Sequence, residues 1–221
     1  VLGTPAVDAV TALLVSEGVD QPMAAFAARA SQGHIGRARR LATDEQARHE
    51  RAEALRLALS LQTVGSALAA AANLVSAAKD ESARLTSARN EEERAELATA
   101  LGAGATGKGL TGRTPRGGAG MLKELEDAQK SRGTRAQRDA LDRALTDLAA
   151  FYRDVLTVQL GTGAQPVHPD VVDRTAAVAR STTPESTLRR IDAVLACREA
   201  LDANVAPLLA VEAMALALRA G

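Results

Sequence analysis

The sequence predicts an all-α fold. Apolar residues recur at helical spacing along most of the chain, and the one run of β-forming residues has no partner strand elsewhere. Capping residues and prolines stand before many of these stretches, and glycines follow several of them. The chain has 221 residues and is 46% hydrophobic but only 1% aromatic. Its core must therefore consist of Ala, Leu and Val side chains, which suit close helix packing.

Three short helices are predicted in residues 1–43. Thr4–Pro5 has the form of a cap followed by a first-turn proline, and Gly18 ends the first helix. Asp20 caps a second helix that runs to Gly33, and the third continues after that turn to Leu41. We place a domain boundary near residue 43.

Residues 44–221 are predicted to form a helical bundle. A capping-box pattern at 43–46 opens a charged helix, and helical spacing continues from Thr63 to Leu101. Residues 102–120 then hold eight of the 17 glycines and no acidic residue. This composition predicts a mobile basic loop inserted into the bundle.

Further helices are predicted after the loop. The helical pattern resumes at Met121, pauses at Gly133 and then continues with a long apolar stripe. Pro169 and Pro184 each open another helix. The last two helices, within 186–219, are separated by an Asn and a Pro, and we expect them to fold back as a helical hairpin.

Composition excludes several classes of protein. Lys plus Arg and Asp plus Glu number 27 each, so the chain as a whole lacks the charge of a nucleic-acid or membrane-surface binder. Cys197 is the only cysteine, and apolar neighbours at helical spacing predict a packed thiol. No apolar run reaches membrane-spanning length, and no signal peptide precedes the first helix. We expect a soluble cytoplasmic protein without a membrane partner.

One pattern imitates a nucleotide site. Gly102–Lys108 fits the G-x-x-x-x-G-K pattern of a phosphate-binding loop. However, Gly109 stands where a Ser or Thr should bind magnesium, and the preceding segment has a helical rather than a strand pattern. The sequence therefore predicts no cofactor, and a flexible linker is the interpretation of this stretch.

No catalytic or metal-binding set is evident. His34, His49 and His168 have no companion ligands at metal-binding spacing, so we expect no metal site. His34 is predicted to cap a turn, and the other two histidines are expected at the surface. Glutamates at 91–96 form a charge run without an apolar pocket, and no triad is apparent. We therefore expect no enzymatic activity.

Basic residues cluster around the predicted loop, although nearby acidic residues dilute them. They are Lys108, Arg113, Arg116, Lys123, Lys130, Arg132, Arg135 and Arg138. Weak contact with DNA phosphates is one interpretation, and a solvated surface is the favoured one, because no aromatic residues interleave for base stacking.

Three segments resemble a known family. AARASQGHIGRARRLA, at 27–42, is similar to the helical lid subdomain of AAA+ modules in the delta prime subunits of bacterial DNA polymerase III clamp loaders. QRDALDRALTDLAAFYRDVLTVQ, at 137–159, and ALDANVAPLLAVE, at 200–212, resemble helices of that family's collar domain.

This resemblance implies a lid at 1–43 and an oligomerising collar at 44–221. It implies a non-catalytic scaffold of the DNA polymerase III holoenzyme that helps to load the sliding clamp on primed DNA during replication. The implied partners are the ATPase gamma/tau subunits and the delta subunit, with the clamp and primer-template DNA contacted indirectly. A nucleotide-binding subdomain would be expected before residue 1.

Two residues of the lid turn bear on ATP hydrolysis. ATP-hydrolysing relatives carry a sensor arginine where this chain has Gly36. Arg37 is displaced by one position, which turns it by about 100° around a helix. We interpret Arg37 either as an intersubunit contact or, together with Arg39 and Arg40, as part of a solvated face.

Partner contacts in the collar are predicted on the final hairpin. Its residues carry more apolar surface than one hairpin can cover, and Leu208, Leu209 and Met214 are the candidate contact residues. Two alternatives remain open at this point. One is the equivalent fragment of an ATP-hydrolysing gamma/tau subunit, and the other is an unrelated helical regulatory bundle.

Overall fold

A computed structural model describes residues 3–101 and 118–221. In these residues the chain forms nine α-helices, one short 3₁₀ helix and no strand, which confirms the predicted all-α class. The helices are α1 (Val7–Ser16), α2 (Gln21–Ala30), α3 (Ile35–Thr43), α4 (Glu45–Leu57), α5 (Val64–Ala100), α6 (Gly118–Gln159), α7 (Val172–Ser181), α8 (Pro184–Asp202) and α9 (Pro207–Ala220). The 3₁₀ helix, Pro169–Val171, precedes α7.

The chain divides into two compact units. The first comprises Val1–Val75 and Asp142–Gly221, and the second comprises Ser76–Leu141. Both α5 and α6 contribute residues to each unit. This division differs from the predicted boundary near Thr43, because α1–α3 belong to the same unit as α4 and the C-terminal helices.

The first three helices pack closely on one another. Asp20 accepts a hydrogen bond from the Met23 N–H, and His34 Nδ1 accepts one from the Arg37 N–H, so each side chain caps the helix that follows it. The capping role predicted for His34 is therefore confirmed. Gly33 has a φ of +86°, and a Cβ there would overlap Thr4. The predicted start at Thr4 was early, because α1 begins at Val7.

Large apolar side chains of the first unit lie on one stripe of α6. Leu145, Leu148, Phe151 and Val155 are all at most 1% exposed. Their spacing of three to four residues places them on one helix face. The α8–α9 hairpin buries a further set, and the turn between its helices contains Asn204 with a φ of +66°. The predicted hairpin is therefore present in the structure.

The second unit contains two antiparallel helix segments joined by polar contacts. Ser82 Oγ donates to the Gly133 carbonyl at 2.7 Å, and Gln129 Nε2 donates to the Asn90 carbonyl at 3.0 Å. An ion pair between Arg132 and Glu93 measures 2.7 Å. Its contacts between helices are thus largely polar, unlike the apolar stripe of the first unit.

Two predictions around the loop need correction. Helix α6 is continuous through Gly133, where a pause was expected, and residues 118–120, assigned to the loop, are already helical. A backbone without positive φ at Gly133 allows the helix to continue there. The remaining loop residues, 102–117, lie outside the described residues, as does the phosphate-loop pattern.

Candidate functional site

Helix α9 is apolar on two opposite sides. Val211, Met214 and Leu218 are at most 2% exposed and face the interior of the first unit. Leu208 and Leu209 are 43% and 61% exposed, and Leu216 is 37% exposed. At about 100° per residue, Leu208, Leu209 and Leu216 fall within one sector, opposite the buried residues.

We call this sector, together with the exposed Ala213, the outer face of α9. Glu212 and Arg219 are the only charged residues in the helix. A helix on the surface of a monomer normally presents polar residues on its outer side, whereas a helix that is apolar all round is usually buried. The outer face therefore has the composition of a surface that a partner covers.

The predicted contact residues of this hairpin separate into two groups. Leu208 and Leu209 lie on the outer face, where they are available to another molecule. Met214 is only 2% exposed, because it lies on the opposite side of α9 among residues of the same unit. The structure thus corrects the prediction for Met214, which is a core residue.

Arg37 differs from both interpretations based on the sequence. Its side chain is 12% exposed and pairs with the carboxylate of Asp147, which is 4% exposed. It is therefore neither part of a solvated face nor free for an intersubunit contact. Arg39 is different, since it is half-exposed and pairs with Glu17 at the surface.

Arg37 belongs to a buried polar group that we call the ion cluster. Its other members are Arg51 on α4, Asp147 and Asp154 on α6, and His168 and Asp170 near the 3₁₀ helix. Arg51 makes two hydrogen bonds to the Asp170 carboxylate, at 2.8 and 2.9 Å, and one to His168 Nδ1 at 2.7 Å. Asp154 accepts hydrogen bonds from the N–H groups of Val167 and His168, at 3.0 and 2.9 Å.

The neighbours of His168 determine its protonation. An arginine can only donate, so Nδ1 of His168 must carry a lone pair toward Arg51. Nε2 then carries the proton and donates to the Asp147 carbonyl at 3.0 Å. Burial lowers the pKa of His168 to about 3, and the positive charge of Arg51 lowers it further within that value. The imidazole is therefore neutral at physiological pH.

The carboxylates of the cluster differ in their environments. Burial raises the pKa of Asp147 to about 6, although Arg37 and Arg51 both oppose the shift. Burial also raises the pKa of Asp154, while the two backbone N–H donors oppose it. For Asp170, burial would raise the pKa, but the hydrogen bonds from Arg51 outweigh it and the net shift is downward. All three groups are ionised at neutral pH.

The chemistry of the ion cluster is that of a cross-link. It joins α3, α4, α6 and the segment 167–170 through charges that are hydrogen-bonded to one another. Buried charges are retained in proteins when they are paired in this way. The open pockets at the surface of the second unit are lined by other residues. The cluster thus fixes the geometry of the first unit around the lid-like turn.

The sequence analysis missed this cluster. His168, expected at the surface, is fully buried, because α6 and Arg51 enclose it. One signal was present: Asp147 and Asp154 are seven residues apart and interrupt the apolar stripe of α6, which places both on its buried side. The nearest partner on another helix, Arg51, is more than 90 positions away and gave no local signal.

The other candidate residues agree better with their predictions. His49 is exposed, as expected. Cys197 is buried, and burial raises the pKa of its thiol to about 11. Residues 3–101 and 118–221 contain no group of three or more His, Cys, Asp or Glu side chains that could hold a metal ion. In the same residues, no helix combines the length and the apolar character that crossing a bilayer requires.

Comparisons with protein families, with curated proteins and with solved structures found no match to this chain.

Proposed function

We propose that this chain is the lid and collar portion of a clamp-loader delta prime subunit, acting as a non-catalytic scaffold. The outer face of α9 is the observation that carries the proposal. It supplies exposed leucines on the C-terminal hairpin, where the resemblance expects neighbouring subunits to bind. The partners would be the ATPase gamma/tau subunits and the delta subunit, in the cytoplasm.

Two further features support a scaffold over an ATPase. Gly36 occupies the position of the sensor arginine, and the adjacent Arg37 is engaged by Asp147. The ion cluster also holds α3 against α4 and α6 through buried charges, which suits a part whose task is to keep a fixed geometry.

Leu209→Asp is the test of the outer face. Leu209 is 61% exposed, so the variant should fold, while a charge in the contact should lower affinity for the gamma/tau and delta subunits at least tenfold. Leu160→Asp is a matched control, because Leu160 is 60% exposed and lies beyond the end of α6. Binding would be measured by interferometry with the purified loader subunits of the same organism, and folding by circular dichroism.

Three outcomes decide the proposal. Selective loss of binding in Leu209→Asp, with helix content retained, supports it. Failure of the unaltered chain to associate with any loader subunit would reject the clamp-loader assignment. Equal affinity of the Leu209→Asp and Leu160→Asp variants would reject the outer face as the contact surface.

A further inference from the structure

Two adjoining surface pockets of the second unit share residues on α6. The first has a volume of about 420 Å³ and is lined from both helices, with the cations Lys79, Arg94 and Lys130 in its wall. The second has a volume of about 390 Å³ and includes Lys130, Arg135 and Arg138. Lys130 and Thr134 belong to both, so the pockets form one continuous groove.

The groove is positively charged although the whole chain is neutral. Five cations line it, against the two carboxylates of Glu91 and Asp127. Lys79, Arg94, Lys130 and Arg135 are exposed, so their charges are available to a ligand. The opposite charge lies in a third pocket nearer the predicted loop, where Glu93, Glu96 and Glu124 surround apolar residues.

The rest of the groove wall is polar. Ser, Thr, Asn and Gln side chains supply most of the remaining lining of the first pocket. Gln129 is 5% exposed, and its Oε1 has no hydrogen-bond partner among the residues that the structure describes. Its Nε2 already donates to Asn90, so the acceptor remains to be satisfied by a donor outside the hairpin.

These features fit a chain of phosphates better than a single anion. Lys130 and Arg138 are eight residues apart, or about 12 Å along the helix axis. That span covers about three nucleotide rises of roughly 3.4 Å. Hydrogen-bond donors on bases or sugars could also reach an unsatisfied acceptor, which a lone phosphate ion could not supply.

We propose that this groove binds the phosphodiester backbone of single-stranded nucleic acid, a role beyond that of the scaffold. The binding is independent of base sequence, since all three aromatic residues of the chain lie outside the second unit and none is available for base stacking. Three to four phosphate contacts give a slope of log affinity against log salt of roughly −2 to −3.

The test uses the full chain and a fluorescent single-stranded dT20, with anisotropy as the readout. Raising NaCl from about 50 to 200 mM should weaken binding roughly 20- to 50-fold. The double variant Lys130→Glu and Arg135→Glu should weaken binding at least tenfold at the lower salt concentration. Arg174→Glu with Arg180→Glu makes the same change in net charge on α7 and should have much less effect.

Other sources of the signal have their own arms. Replacing Lys108, Arg113 and Arg116 by Gln tests whether the basic residues at 102–117 account for binding, and vesicles containing phosphatidylserine test a lipid surface. The proposal is overturned if dT20 does not bind, if only the Gln variant loses binding, or if the two double variants lose it equally. It is also overturned if vesicles bind through the groove and dT20 does not.

Discussion

Asp147 has the most demanding environment of any carboxylate in the ion cluster. Arg37 contacts it directly, and Arg51 Nε lies 3.7 Å from Oδ1. The side chains of Asp147 and Arg51 are 4% and 3% exposed. Removing the negative charge would leave a buried guanidinium without compensation, which costs far more than losing a surface pair.

Asp147→Asn is therefore expected to lower the free energy of unfolding by about 3–5 kcal/mol. Asp142→Asn provides a matched control on the same helix. Asp142 also pairs with an arginine, Arg198 at 2.7 Å, but its side chain is 54% exposed. The control should cost less than about 1 kcal/mol. Urea unfolding at pH 7 measures both, and similar losses would contradict the description of a buried cluster.

His168 predicts a specific dependence of stability on pH. Its pKa is about 3 when folded, against an ordinary value of 6.5, so the unfolded chain takes up the proton first. The stability that His168 contributes is complete above pH 6.5 and is lost as pH falls toward 3. Asp147 acts in the opposite direction between its ordinary value of 3.8 and its folded pKa of about 6.

His168→Gln removes the histidine titration and leaves that of Asp147. The variant should be less stable than the unaltered chain at pH 7, because its hydrogen bonds to Arg51 and Asp147 are poorer. The difference should then shrink by up to about 3 kcal/mol between pH 7 and pH 4. Urea unfolding at several pH values gives the difference directly. A gap that stays constant or widens on acidification would show that His168 is not held neutral.

At the scale of elements, the continuity of α6 at Gly133 can be tested by substitution. A Cβ at Gly133 would meet only Ser82 Oγ, at 3.9 Å, and the backbone there is helical. Gly133→Ala should therefore stabilise the chain by about 0.5–1 kcal/mol, since alanine is the better helix former. Gly33→Ala should destabilise it, because Gly33 has a φ of +86° and no room beside Thr4. Thermal melting distinguishes them, and destabilisation by Gly133→Ala would restore the predicted pause.

Local signals were sufficient to predict most of the helices. Pro184 opens α8, the Asn204–Pro207 region separates α8 from α9, and Asp20 caps α2, as the sequence indicated. Caps, prolines and apolar spacing act within one or two turns, so they can be recognised from a single sequence. The pause at Gly133 was wrong because glycine weakens a helix without breaking it when the flanking turns are held.

The candidate site was only partly predictable for a related reason. Leu208 and Leu209 were named correctly as exposed apolar residues, but Met214 could not be separated from them. All three are apolar residues of one helix, and burial depends on how that helix is rotated against its neighbours. The ion cluster depends on contacts between distant residues, such as Arg51 with Asp170, and these have no signature in local spacing.

At the scale of the whole molecule, the two units differ in what holds their helices. In the first unit, α6 presents Leu145, Leu148, Phe151 and Val155, each at most 1% exposed. In the second, the helix contacts include the hydrogen bonds of Ser82 and Gln129, and Met121 and Leu122 are 48% and 42% exposed. A helix with few buried apolar contacts opens more readily.

Hydrogen exchange should reveal this difference within a single helix. Amides at 122–132 of α6 are expected to exchange at least tenfold faster than amides at 145–155, because the latter are protected by the apolar stripe. Mass spectrometry after digestion resolves both segments of the same chain. Equal protection along α6 would mean that the second unit is as stable as the first.

The only tyrosine of the chain, Tyr152, gives the first unit its own optical reporter. There is no tryptophan, and Tyr152 is 1% exposed beside Phe151, with ring centroids 5.4 Å apart. Intrinsic ultraviolet emission therefore follows the melting of the first unit, whereas far-ultraviolet dichroism sums the helices of both. A difference between the two transition curves would measure how independently the second unit unfolds, without any label or engineered chromophore.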